Sequence, residues 1–157
     1  MRSLFKSFLY AFRGIGYNLA YERNYRIHCF AALSMLLLAS FYDFTHVQWC
    51  LLILQICLVI GAEMLNTAIE QTDNKITLEP SKQIRRAKDS AAAAVLVFAL
   101  GSVFVAYHLF WDLAVFQKIV TYFSVWYRAL FLVLYLAAGA VLIFCKKTYK
   151  QGKNNVD

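Results

Sequence analysis

Four long apolar runs constrain this chain more than any other feature of its sequence. They cover Ile27–Tyr42, Val47–Leu65, Ala91–Trp111 and Ala129–Cys145. The hydrocarbon core of a bilayer is roughly 30 Å thick, and a helix of about 20 apolar residues spans it. Hydrophobic residues make up 61% of the 157, more than one small soluble core can hide. The sequence therefore predicts an all-α integral membrane bundle of four transmembrane helices.

Short charged segments separate these runs, and they contain the only proline, Pro80. This organisation predicts a single membrane domain over residues 1–157. Membrane-spanning strands would show segments of about ten residues in which apolar and polar side chains alternate. The stretch from Leu51 to Ile60 does not alternate, so helices are favoured over a barrel.

The basic residues predict the orientation of the bundle in the membrane. Most of the sixteen Lys and Arg lie before or at the first run, between the second and third runs, or after the fourth. The segment around Asp43 has none. Because Lys and Arg accumulate on the cytoplasmic side, we expect both termini and the segment between the second and third runs in the cytoplasm. The net charge of +7 then indicates contact with anionic lipid headgroups and no nucleic-acid partner.

An amphipathic segment precedes the first run. Its apolar residues recur every three or four positions, at Phe5, Phe8, Phe12, Ile15 and Leu19. This spacing predicts a helix lying in the cytoplasmic interface. The alternative is a helix packed on the bundle. No small-residue cleavage site follows closely, so a removable signal peptide is not expected.

The sequence lacks the patterns of a zinc or disulfide site and of a Gly-rich phosphate loop. The cysteines at positions 29, 50, 57 and 145 lie within apolar runs and have neither zinc-ligand nor disulfide-framework spacing, so we interpret them as packing residues. Gly14-Ile-Gly16 is too short to be a Gly-rich phosphate loop, and there is no Walker A sequence. Any nucleotide site must therefore be built differently.

Carboxylates at the end of the second run are the strongest functional signal. At about 100° per residue, Glu63, Asn66 and Glu70 share one face of a helix. Charged residues in membrane segments are costly and by default indicate function. Counted from Val47 at about 1.5 Å per residue, this face lies at the cytoplasmic edge of the bilayer. The simpler explanation is that the carboxylates pair with Lys or Arg of neighbouring helices.

Two further charged segments lie at the same membrane edge, and each has a local explanation. Lys88 and Asp89 precede the small residues of the third run, where Lys88 can hold a phosphate. Alternatively, Asp89 or the following serine only caps the helix. Glu22 and Arg26 stand four residues apart, so an ordinary intrahelical ion pair accounts for them.

The acidic segment also carries a family resemblance. Glu63-Met-Leu-Asn-Thr-Ala-Ile-Glu70, followed by Lys88-Asp89, resembles the signature of the prokaryotic diacylglycerol kinase family, which includes undecaprenol kinases. Upstream, Phe8–Gly14 and Glu22–His28 look like the N-terminal segment of that family. The resemblance covers roughly residues 3–111 and leaves 112–157 as an added span with a basic cytoplasmic tail.

The resemblance implies an ATP- and Mg²⁺-dependent lipid kinase that works as a homotrimer with shared active sites at the cytoplasmic interface. By position, it makes Glu63 the general base supported by Asn66, and it makes Glu22 and Glu70 the metal ligands. The residues expected to contact the nucleotide are Tyr10, Glu22, Glu70, Glu79, Lys88 and Asp89. Diacylglycerol is the first expected acceptor and undecaprenol the second.

Two departures from the family pattern leave alternatives open. The family usually has an aspartate four residues after the second glutamate, whereas this chain has Asn74 there and Asp73 one position earlier. Typical members also stop after three spans, so Ala129–Cys145 is an addition. An inactive structural subunit is therefore one alternative. A small ion-coupled transporter is another, although its site is expected near the midplane, where Gln55 is the only polar side chain between Leu54 and Cys57.

Overall fold

The computed structural model describes residues 2–76 and 82–145, with side chains for 4–72 and 82–145. This part of the chain is helical and contains no strand. Its six helices are α1 (Arg2–Tyr21), α2 (Arg23–Ala39), α3 (His46–Ile76), α4 (Lys82–Phe110), α5 (Leu113–Phe123) and α6 (Trp126–Phe144).

Helices α3, α4 and α6 are long and apolar enough to cross a membrane. Helix α2 has 17 residues, about 25 Å at 1.5 Å per residue. It lies antiparallel to α6, because Arg26 contacts Cys145 at one end of α6, Ser34 contacts Tyr135, and Phe41 lines a groove with Arg128 at the other end. Helix α2 and the turn after it therefore cover the same depth as α6. The predicted all-α membrane bundle is confirmed, with three helices of span length, α3, α4 and α6, and a crossing by the shorter α2 stays a prediction.

Both α3 and α4 extend beyond the apolar runs at the end of the bundle that carries the carboxylates. Helix α3 continues past Leu65 to Ile76, and α4 begins at Lys82, well before Ala91. Their close packing forms the largest contact in the bundle. The charged residues of these extensions are helical because the helix supplies its own backbone hydrogen bonds whether lipid or water surrounds it.

Helix α5 is not among the helices predicted above. It begins after Asp112, whose side chain accepts hydrogen bonds from the backbone N–H groups of Ala114 and Val115 over 2.8 and 3.3 Å. Such an N-cap satisfies donors that a helix end leaves unpaired. With 11 residues, α5 is too short to span a bilayer, and it connects the end of α4 to the start of α6.

Most of the apolar stripe of α1 is left uncovered by the rest of the described chain. Phe5, Phe8 and Phe12 are 73%, 58% and 68% exposed, and Ile15 and Leu19 are also exposed. Packing on the bundle of the same chain, the alternative considered above, is therefore not observed. The stripe is open to lipid, and its place in the membrane interface stays a prediction.

Aromatic side chains close the end of the bundle opposite the carboxylates. Tyr42 and Phe44, from the turn between α2 and α3, contact Phe110 at the end of α4 with ring centroids 5.2 and 5.3 Å away. Trp49 lies 5.7 Å from Phe44. The Tyr42 hydroxyl donates a 2.7 Å hydrogen bond to the Phe110 carbonyl oxygen. This contact fixes the α2–α3 turn to α4.

We expect Tyr42→Phe to lower the free energy of unfolding by about 1 kcal/mol, because the Phe110 carbonyl loses a donor. The measurement is the thermal unfolding midpoint in detergent. Tyr107→Phe is the matched control, since Tyr107 is largely exposed on α4 and its hydroxyl has no hydrogen-bond partner in the described part of the chain. Equal midpoints for the two variants would contradict the prediction.

Candidate functional site

The second half of α3 places a row of polar side chains on the face that packs into the bundle. Glu63 is 4% exposed, Asn66 7% and Thr67 4%. The Asn66 amide Nδ2 donates to Glu70 Oε1 over 3.4 Å. Glu63, Asn66 and Glu70 differ by three, four or seven residues, so a helix of 3.6 residues per turn brings them to one side, with Thr67 beside them. The predicted polar face is present in the structure.

Glu22 reaches this face from a break between two helices. It lies between α1 and α2 with φ −97° and ψ 115°, an extended conformation. Its carboxylate oxygen Oε1 accepts a hydrogen bond of 3.4 Å from Gln71 Nε2 of α3. The break therefore turns the Glu22 side chain toward the C-terminal half of α3.

The negative charges of Glu70 and Glu22 both act on the buried Glu63. In the described part of the chain, Glu63 has no hydrogen bond or ion pair through its side chain. Within residues 2–76 and 82–145, no three His, Cys, Asp or Glu side chains form a metal cluster by themselves. Burying carboxylates without a cation is costly. The arrangement therefore indicates a site completed by a bound group.

Two simpler explanations were considered, ion pairs between the α3 carboxylates and Lys or Arg, and an intrahelical pair of Glu22 with Arg26. Both are wrong for the described side chains. Neither Glu63 nor Glu70 forms an ion pair with a described Lys or Arg. Glu22 and Arg26 do not form the expected intrahelical pair, because the chain leaves the helix at Glu22. The Arg26 guanidinium instead donates to backbone carbonyl oxygens, among them that of Cys145.

The residues expected to contact the nucleotide are only partly brought to this site. Tyr10 is 62% exposed on α1, with Arg13 over its ring at 6.0 Å. Asp89 is exposed and Lys88 partly buried, both on α4. The capping role considered for Asp89 is wrong, because α4 begins at Lys82 and Asp89 lies inside the helix. Glu79 and the side chains of residues 73 and 74 lie outside the described residues.

Two buried polar residues beside the carboxylates were not predicted. Thr67 lies four positions after Glu63, and Asn18 four positions before Glu22. Asn18 Nδ2 donates to the Gly14 carbonyl oxygen over 2.9 Å, while its Oδ1 has no partner. Asn66 Oδ1 is also buried without a partner. The helical spacing of four from each glutamate was the available signal.

Comparison with known proteins agrees with this geometry. The family model for prokaryotic diacylglycerol kinase matches residues 9–110, more than half of the chain. The chain belongs to the prokaryotic diacylglycerol kinase family. Membership in this family identifies a membrane lipid kinase and decides against the ion-coupled transporter. No solved structure gives a significant match.

Curated relatives of this kinase carry two different substrate names. The undecaprenol kinase of Bacillus subtilis is 36% identical over 110 residues, which are 70% of this chain and 89% of the relative. A diacylglycerol kinase of Synechocystis is also 36% identical, over 66% of this chain and 59% of the relative. The diacylglycerol kinase of Escherichia coli is 31% identical, over 66% and 84%.

The match to the family covers the part of the kinase that carries the carboxylates. Glu22, Glu63, Glu70, Lys88 and Asp89 all fall within residues 9–110, and the match ends with α4. Helices α5 and α6 follow this region. The structure nevertheless packs α6 against α2, so the additional span lies beside the family core.

We expect Asn66→Leu to abolish lipid phosphorylation while the thermal midpoint stays equal or rises. A buried acceptor without a partner costs about 1–3 kcal/mol, and an apolar side chain of similar shape removes that cost. Gln55→Leu, three turns earlier on α3 and away from the carboxylates, is the matched control and should keep its activity. The two measurements are product formation and thermal unfolding in detergent. An active Asn66→Leu variant would show that the amide is dispensable.

Proposed function

We propose that this lipid kinase transfers the γ-phosphate of ATP, in the presence of Mg²⁺, to the hydroxyl of diacylglycerol or undecaprenol at the inner leaflet. The observation that carries the proposal is the set of three carboxylates, from α3 and from the α1–α2 break, without a described cationic partner. The site lies at the end of a span, where a lipid headgroup and a water-soluble nucleotide can both reach it.

The carboxylates suit a nucleotide-bound magnesium ion. Mg²⁺ is usually held by one or two protein carboxylates together with phosphate oxygens and water. Glu22 and Glu70 would supply the two carboxylates, so a cluster of three protein ligands is not required. The buried Asn66 Oδ1, which lacks a partner, offers one further oxygen at the same face. When bound, the ion would neutralise charge on the transferring phosphate.

In the proposed reaction, Glu63 accepts the proton of the lipid hydroxyl. The hydroxyl oxygen then forms a bond to the γ-phosphorus, and the bond from that phosphorus to the ADP oxygen breaks. Phosphoryl transfer depends mainly on alignment and on stabilisation of charge. Asn66 holds Glu70 in position through its amide, while Lys88 would contact phosphate as a point charge. Tyr10, Asp89 and the Glu79 region are the further proposed nucleotide contacts.

Substrate choice between diacylglycerol and undecaprenol is the finer part of the proposal. Both acceptors present a primary hydroxyl at the interface on an apolar body, so residues that hold the phosphate do not distinguish them. The names of the relatives support each acceptor, with diacylglycerol kinase the more frequent name.

We expect purified protein in detergent with Mg-ATP to phosphorylate at least one of the two lipids, and a competition assay to show the preferred one. Glu63→Gln should abolish turnover with both, because the amide cannot accept the hydroxyl proton, and it should leave the oligomer size unchanged. Asp43→Asn, an exposed acid in the α2–α3 turn, is the matched control. Absence of product with both lipids would refute the kinase and leave an inactive subunit.

We further propose a homotrimer in the bacterial inner membrane with both termini in the cytoplasm. Exposed apolar side chains over much of α4 support contact with other subunits or lipid. Three helices of span length, the position of α2 antiparallel to α6, and the distribution of basic residues support the orientation.

Alkaline phosphatase fusions test the orientation, because this reporter is active only outside the cytoplasm. A fusion after Thr45, in the turn between α2 and α3, should be active. A fusion after Cys145, at the end of α6, should be inactive at equal expression. Activity of both fusions would mean that an even number of the helices between Thr45 and Cys145 cross the membrane, as when α6 does not cross.

A further inference from the structure

Arg26 is a buried cation without a described acidic partner. It lies in the first turn of α2 and is 6% exposed. Its Nη1 donates to the carbonyl oxygens of Ala20 and Cys145 over 3.2 and 3.0 Å, and its Nη2 donates to that of Ile143 over 3.2 Å. A buried charge needs such compensation. Backbone carbonyls provide it here.

These carbonyls belong to the C-terminal ends of two different helices. Helix α1 ends at Tyr21 and α6 ends at Phe144. The last carbonyls of a helix have no partner within it and carry the negative end of its dipole. The Arg26 guanidinium therefore joins both helix ends while belonging to a third helix, α2.

Helix α6 is held along α2 by close contacts. The Phe30 ring lies against Gly139, and a Cβ atom at position 139 would collide with it. Phe30 stacks on Tyr135 with centroids 4.9 Å apart, and the Tyr135 hydroxyl shares a 2.8 Å hydrogen bond with Ser34 Oγ. The small residue permits this approach, as is common between membrane helices.

Helices α1 and α6, in contrast, are separated by a groove of about 620 Å³. Leu19 lines it on one side and Val141 on the other, with Arg26 at its edge. Arg26 therefore links the end of α6 to the end of α1 through hydrogen bonds to both. Glu22 lies between Ala20 and Arg26, so the backbone on both sides of Glu22 takes part in this junction.

We propose that Arg26 and α6 position Glu22 for the nucleotide-bound metal, which makes the additional span part of the active-site framework. The inference rests on the proposed function, in which Glu22 is a metal ligand. Arg26 is a positioning residue in this account. The only described hydrogen bond of the Glu22 side chain is the long one from Gln71, so the backbone around the break must hold the carboxylate in place.

The test measures binding of Mn²⁺ with a non-hydrolysable ATP analogue to the full-length protein in detergent, by electron paramagnetic resonance. Arg26→Ala and Gly139→Leu should each weaken Mn²⁺ binding about tenfold, the size typical for residues that orient a metal ligand. Arg26→Lys should restore part of the affinity, since an ammonium can still donate to the carbonyls. Ala140→Leu, at the adjacent exposed position of α6, is the matched control and should bind normally.

Wild-type affinity in folded Arg26→Ala and Gly139→Leu variants would overturn the inference. If Arg26→Ala does not give a monodisperse protein, the comparison of Gly139→Leu with Ala140→Leu decides the question. Glu22→Gln separates the two proposals. Weaker binding in Glu22→Gln with normal binding in Gly139→Leu keeps the metal ligand and rejects the role of α6. Absence of Mn²⁺ binding and of lipid phosphorylation in the unaltered protein would reject the proposed function itself.

Discussion

The interruption of the helical backbone at Glu22 is the feature on which the proposed site depends. A continuous helix from Arg2 to Ala39 would place Glu22 on a helical face beside Arg26, and the two side chains would neutralise each other. The extended backbone at Glu22 removes that pairing and directs the carboxylate to Gln71 of α3. It also leaves Arg26 available for other acceptors. One local change in conformation thus supplies both an acidic group and a buried cation.

Burial of Glu63 then gives the site its chemical character. Lipid provides no hydrogen bonds, so a carboxylate at the end of a span must face the bundle, water or a bound group. Glu63 faces the bundle at 4% exposure, next to two other acids and without a described cation. Packing alone does not favour that arrangement, because like charges at close range raise its energy. A magnesium ion bound by these carboxylates would offset the repulsion.

Much of this architecture could be predicted from sequence, because the lipid environment makes helical periodicity and hydropathy reliable. The apolar runs predicted the spans, and the spacing of Glu63, Asn66 and Glu70 predicted their common face. Local rules failed where distant segments meet. The Glu22–Arg26 pair and the cap at Asp89 are ordinary local patterns, but tertiary contacts and a longer α4 replace them. The roles of the nucleotide residues, Glu79 included, stay predictions.

Arg26 shows why the additional span could not be assigned a role from sequence. Its partners Ile143 and Cys145 lie more than a hundred positions away, and they act through backbone carbonyls, which every residue carries. No side-chain pattern encodes such a contact. The presence of glycine at position 139 has a clearer physical reason, since only a glycine leaves room for the Phe30 ring. The two contacts lie at different depths on one helix pair, so they fix both the tilt and the axial position of α6. A simple membrane anchor does not need so many constraints on its position. Here they lead through Arg26 to Ala20, two residues before the extended backbone at Glu22.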